Sequence, residues 1–140
     1  MYFSEKIARK IALLERALAY LRSRADVKPI DVENNYELRS ALERNLHVAI
    51  EAALDIGEMI IAEENLPRPE EYRGVFLALG KAGIIPEDFA KRIAPMAGFR
   101  NILVHQYNEI DVDLMCKFIK ERLDDLEEFV SYIRKYVKTH

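Results

Sequence analysis

Leu38-Arg39-Ser40-Ala41-Leu42-Glu43-Arg44-Asn45-Leu46-His47-Val48-Ala49-Ile50-Glu51-Ala52-Ala53-Leu54-Asp55-Ile56-Gly57-Glu58-Met59-Ile60 is the stretch that decides the fold. Leu38, Leu42, Leu46, Ala49, Ala53, Ile56 and Ile60 recur at steps of three and four, which keeps them on one face of an α-helix. Asp31 offers an N-cap upstream. Asn65-Leu66-Pro67-Arg68-Pro69 ends the helix, because prolines cannot continue its hydrogen-bond ladder. The same period recurs outward in both directions. Upstream, Ser4 can cap a helix striped by Ile7, Ile11, Leu14, Leu18 and Leu21, which stops before Asp26-Val27-Lys28-Pro29. Downstream, a short helix is expected from Glu71 to Lys81, closed by Gly83. Pro86 fits the first position of the next helix, which carries Phe89, Ile93, Met96 and Leu103 and kinks at Pro95 and Gly98. Asn108-Glu109-Ile110-Asp111 then forms a turn and an N-cap. The last helix repeats Val112, Ile119, Leu123, Leu126, Val130, Ile133 and Val137. The predicted fold is all-α, an antiparallel helical bundle of four long helices plus one short helix, with residues 1–140 as a single domain.

Composition narrows the function classes. With 21 basic and 24 acidic residues the net charge is -3, which argues against a broad basic surface for gripping duplex nucleic acid. A small pocket lined by a few cations stays open. Cys116 is the only cysteine, so neither an intrachain disulfide nor a thiolate zinc site can form. One unpaired cysteine and a charged N-terminus point to the cytoplasm. No apolar run approaches the roughly 20 residues of a membrane span.

One segment breaks the amphipathic pattern. Arg100 falls at the next step of the stripe Phe89, Ile93, Met96, so it should point towards the bundle seam. A buried guanidinium is costly unless paired or facing a wet cavity. A carboxylate partner, a dimer groove or an anion-binding pocket is therefore implied. Tyr107, seven residues on, returns to within about 20° of Arg100, whereas His105 lies about 140° away. His105 joins the pair only if the helix ends near it. Asn101, four residues before His105, could fix its tautomer by a hydrogen bond.

The run Met96-Ala97-Gly98-Phe99-Arg100-Asn101-Ile102-Leu103-Val104-His105-Gln106-Tyr107 resembles the signature of the HepT-type toxins in the HEPN superfamily. That signature is Arg, a polar residue, a short spacer, His, and a tyrosine two residues later. Ala49-Ile50-Glu51-Ala52-Ala53-Leu54-Asp55-Ile56-Gly57 resembles the family's second long helix, and Ile110 to Tyr136 its final one. The likeness spans roughly residues 5 to 137. It implies an α-helical homodimer with motif arginines and histidines at a shared cleft. It also implies a metal-independent endoribonuclease toxin of a type VII-like toxin–antitoxin pair, without a cofactor. Arg100, Asn101 and His105 would be catalytic. Tyr107 would be the residue to which a partner nucleotidyltransferase antitoxin transfers AMP.

The residue chemistry agrees with that expectation. RNA carries its own nucleophile, so a histidine that moves protons and a cation that stabilises the phosphorane suffice. Histidine titrates near pH 6.5, and arginine can hold two phosphoryl oxygens at once. Plainer readings stand beside these. Asn101 could merely cap the helix, and Tyr107 could be an amphipathic aromatic at its end. The polar stripe Arg44, His47, Glu51, Asp55, Glu58 is either a solvated face or one from which Glu51 or Asp55 turns inward to support Arg100. His47 and Glu51 are too few ligands for a metal. Cys116 is expected to pack as a small apolar residue, and terminal His140 to fray. The row Phe118, Phe129, Tyr132, Tyr136 exceeds what one core should absorb, which favours a twofold homodimer. Two rival functions remain: a non-catalytic helical nucleotide-binding accessory subunit of a nucleotidyltransferase, and a purely structural dimerisation bundle.

Overall fold

A computed structural model describes the backbone of residues 2–105 and 111–140, and the side chains of residues 2–100 and 111–140. The helices are α1 (Tyr2–Ser23), α2 (Pro29–Glu33), α3 (Tyr36–Glu63), α4 (Arg73–Lys81), α5 (Glu87–Ile93), α6 (Met96–His105), α7 (Val112–Glu121) and α8 (Leu123–Thr139). No strand occurs among the described residues. None of their helices is long and apolar enough to cross a membrane.

The central element is α3, which buries Leu42, Leu46, Ala49, Ile50, Ala53, Ile56 and Ile60 against its neighbours. Two pairs of ion contacts set the direction of α8 against α1. Arg22 reaches Asp124 and Glu127, whereas Arg134 reaches Glu15, so the two helices run antiparallel. These pairs are exposed and contribute little beyond orientation.

The periodic stripes are buried as expected, save that Leu38 and Val137 are partly buried and the Leu103 side chain lies outside the described residues. The helix boundaries differ from the sequence reading. Ser4 lies within α1 rather than capping it, because that helix already begins at Tyr2. Asp31 lies within the short helix α2. Asn35 caps α3 instead, its side-chain oxygen accepting from the Leu38 N–H at 3.0 Å. At the other end α3 stops before the prolines. Asn65 takes a left-handed φ of 53°, and the Leu66 N–H closes onto the Ile61 carbonyl at 2.9 Å. Gly83, at φ 76°, turns the chain after α4 as anticipated. Pro86 stands one residue before α5, in extended conformation.

The two remaining long helices are each interrupted. Around Pro95 the bonds Ala97 N–H to Ala94 O and Gly98 N–H to Pro95 O are one residue tighter than α-helical ones, so α5 and α6 separate. Arg122 leaves helical geometry between α7 and α8. The carboxylates Asp124 and Asp125 then open α8 where its dipole favours negative charge. Asp111 caps α7 as predicted, accepting from the Leu114 N–H at 3.1 Å. Eight helical segments therefore stand among the described residues where five were expected.

The aromatic row is absorbed by one chain, contrary to expectation. Phe129 meets Phe76 edge-on at 5.5 Å, Phe118 meets Phe99 at 4.6 Å, and Tyr132 meets Phe89 at 5.1 Å. The Tyr136 hydroxyl donates to Glu64 just past the end of α3; burial, and then this hydrogen bond, raise its pKa. Phe118, Phe129 and Tyr132 thus each meet a ring on another helix, Tyr136 reaches the residue after α3, and the row gives no reason for a second copy. Cys116 is buried as a small apolar residue, and burial raises its thiol pKa. His140 does not fray: its ring stacks on Tyr136 at 4.2 Å, with Nδ1 2.9 Å from the Tyr136 carbonyl.

Candidate functional site

The site is built where α6 crosses α3. Met96, Ala97 and Phe99 anchor the start of α6 in the core. Arg100 follows in the same register, and its side chain is only 15% exposed. A cation held that far from water needs a counter-charge. Its Nε donates to Oε2 of Glu51 at 3.0 Å, from the middle of α3. The same oxygen lies 3.6 Å from Nε2 of His47, one turn earlier on α3. The ring of Tyr72, at the start of α4, lies against the guanidinium, with its centroid 4.2 Å away. The hydrogen bond from Arg100 to Glu51 outweighs desolvation and raises the arginine pKa further, so the guanidinium stays charged at any working pH.

Asp55 is not part of this cluster. One turn beyond Glu51, it accepts from Lys10 of α1 at 2.9 Å. Of the two carboxylates left open by the sequence, Glu51 therefore pairs with Arg100. Arg44 and Glu58, at the ends of the polar stripe, are exposed, and the three residues between them face partners. The stripe is a solvated face only at its ends.

Beside Tyr72 the chain leaves a groove of about 640 Å³, lined by Glu58, Asn65, Arg68, Pro69, Glu71 and Tyr72 among others. Partial desolvation there, and then the charge of Asp55, raise the Glu58 carboxyl above its usual range. Neither Tyr72 nor Arg68 was singled out from the sequence. Arg68 lies within, and Tyr72 just after, a proline-rich turn whose path only the tertiary fold sets.

Asn101 and His105 lie on the α6 backbone, whose described part runs to His105. Their side chains, and Tyr107 altogether, fall outside the described residues. Among the described residues no three His, Cys, Asp or Glu side chains group to hold a metal ion. The arrangement offers one oriented, permanently charged guanidinium. A guanidinium has five N–H donors, more than a single carboxylate occupies, and its planar fork matches a phosphodiester.

A family model described as "Ribonuclease HepT-like" matches residues 14–133. A tRNA nuclease HepT from Aphanizomenon flos-aquae is 30% identical over 133 residues, covering 95% of this chain and 90% of that protein. An mRNA nuclease HepT from Shewanella oneidensis is 28% identical over 102 residues, covering 73% of this chain and 77% of that protein. Among solved structures, a tri-AMPylated Shewanella oneidensis HEPN toxin in complex with MNT antitoxin superposes with a TM-score of 0.80. It is 26% identical, and the match covers 92% of this chain and 96% of that one.

Proposed function

Because the chain belongs to the HepT-like ribonuclease family, we propose that it is the RNA-cleaving toxin of a toxin–antitoxin pair and cuts without a metal. The observation that carries this reading is Arg100, a part-buried guanidinium held by Glu51 at the step of a core stripe where an apolar residue belongs. A cation is costly to place there, and binding a phosphodiester gives it a use.

In this mechanism the 2′-hydroxyl oxygen attacks the adjacent phosphorus and the bond to the 5′-oxygen breaks. A 2′,3′-cyclic phosphate and a free 5′-hydroxyl result. His105 takes the proton from the 2′-oxygen and supplies one to the departing 5′-oxygen. Arg100 stabilises the charge gathered on the phosphoryl oxygens, and Asn101 orients the imidazole. Glu51 supports Arg100. The named relatives act on different RNAs, tRNA in one case and mRNA in the other, so the substrate class is RNA.

The control step follows from the same likeness. A nucleotidyltransferase antitoxin transfers AMP from ATP to the Tyr107 phenolic oxygen: a bond forms to the α-phosphorus, pyrophosphate leaves, and the phenolic proton is released. The added charge and bulk oppose RNA phosphate at the cleft. A twofold homodimer completes the proposal and rests on the family likeness alone.

Cleavage of RNA by the purified chain in excess EDTA, with DNA of the same sequence left intact, tests this function. A strict requirement for a divalent metal contradicts it. Light scattering that shows a stable single-chain mass at micromolar concentration contradicts the dimer.

A further inference from the structure

Five cations lie over aromatic rings among the described residues. Lys6 over Tyr2, Arg24 over Tyr20, Arg92 over Phe89 and Lys135 over Tyr132 are three or four residues apart, each pair within one helix or, for Arg24, one residue past its end. Helical geometry brings such neighbours together without any tertiary fold. Arg100 over Tyr72 is different. It joins α6 to the start of α4, and at 4.2 Å it is the shortest of the five.

The fold fixes Tyr72 firmly. α4 is pressed onto α3 at Gly57, where a Cβ would come within 2.4 Å of Val75 Cγ1. Only a glycine permits that approach, and it seats the first turn of α4 against the Gly57 segment of α3, so that Arg100 spans from Glu51 on α3 to Tyr72 at the start of α4. Tyr72 is half-buried and packs against the core. Glu51 holds the guanidinium by its Nε edge. Among the described residues that is the guanidinium's one hydrogen bond, and a single in-plane bond leaves the group able to rotate about it. A ring against the flat face removes the rotation, and the negative face of the ring favours the cation. Bidentate contact with a phosphodiester needs the guanidinium plane to be set in advance.

We infer that Tyr72 is a positioning residue for Arg100, fixing the plane in which the guanidinium meets the scissile phosphate. This rests on the ribonuclease reading above, so the test has one arm that reads activity and one that does not.

The full chain is prepared as wild type, Tyr72→Phe and Tyr72→Leu, each also in the Arg100→Ala background. Tyr72→Met replaces Tyr72→Leu should the latter unfold by circular dichroism. In kcat/KM for RNA cleavage, Tyr72→Leu is expected to lose about 3- to 30-fold. Tyr72→Phe, which keeps the ring, recovers most of that loss. In the Arg100→Ala background Tyr72→Leu adds no further loss. Independently of activity, a ring 4.2 Å from the guanidinium should hold the Arg100 Nε–H proton resonance upfield. That resonance moves downfield in Tyr72→Leu and stays in Tyr72→Phe. An unmoved resonance in Tyr72→Leu, or an equal loss with and without Arg100, overturns the inference. Wild type that cuts no RNA contradicts the ribonuclease reading, and the resonance alone then decides the placement of Tyr72.

Discussion

Glu51 on α3 accepts the Arg100 Nε–H of α6 at 3.0 Å, while Asp55, one turn further along α3, faces Lys10 of α1 instead. Two carboxylates four residues apart therefore serve different helices. Removing the charge of each should give different results. Glu51→Gln leaves the Arg100 charge part-buried without its counter-ion, which costs about 1–2 kcal/mol in urea unfolding. It should also lower RNA cleavage by about tenfold, since the guanidinium loses its tether. Asp55→Asn should cost under about 1 kcal/mol and leave cleavage within about twofold of wild type. Equal effects of the two variants contradict the assignment of Glu51.

Glu58 gives a pH signature. Its carboxyl pKa is raised above 4.5, first by desolvation and then by Asp55. The folded state thus binds this proton more tightly than the unfolded chain does. Stability should fall as pH rises from about 4.5 through the raised folded value, and the full penalty persists above it. Glu58→Gln removes that penalty. It should be more stable than wild type at pH 7, with the difference fading below pH 4.5. Urea unfolding at pH 4 and pH 7 measures this, and an equal offset at both contradicts it.

Gly57 tests how tightly α4 is seated. In an open helix an alanine here would gain about 0.5–1 kcal/mol. The contact of 2.4 Å between the added Cβ and Val75 Cγ1 forces α4 away instead. Gly57→Ala should therefore destabilise by about 1–2 kcal/mol. Adding Val75→Ala should recover part of the loss by relieving the clash. A stabilising Gly57→Ala shows that α4 is not pressed onto α3.

The sequence exposed some of this and hid the rest, for separable physical reasons. The apolar stripes of the described residues were legible, because burial follows the helical period directly. The inward register of Arg100 was legible for the same reason. Which carboxylate it meets was not: Glu51 and Asp55 differ by only about 40° around α3, and the choice depends on where α6 crosses. The break around Pro95 carried a local signal. The break at Arg122 carried none, having neither proline nor glycine. Tyr72 was invisible because its partner lies on another helix. The aromatic row misled because a count of rings does not reveal whether Phe76, Phe89 and Phe99 stand ready to receive them.

Tyr107 is the acceptor in the proposed control step, so incubation with the partner nucleotidyltransferase and ATP should add adenylyl mass to wild type. Tyr107→Phe keeps the ring and removes the acceptor oxygen, so the additions should vanish from it. Intact-mass spectrometry followed by peptide mapping reads the result. Additions that persist in the variant contradict the assignment.

The central claim is that the Arg100 site cleaves RNA, and single-turnover cleavage in EDTA tests it most directly. Wild type should produce fragments ending in a 2′,3′-cyclic phosphate or its hydrolysis product. Arg100→Ala and His105→Ala should each lose at least about a hundredfold in rate while keeping the helical circular-dichroism signal. Cleavage by a folded Arg100→Ala chain at the wild-type rate would contradict the account.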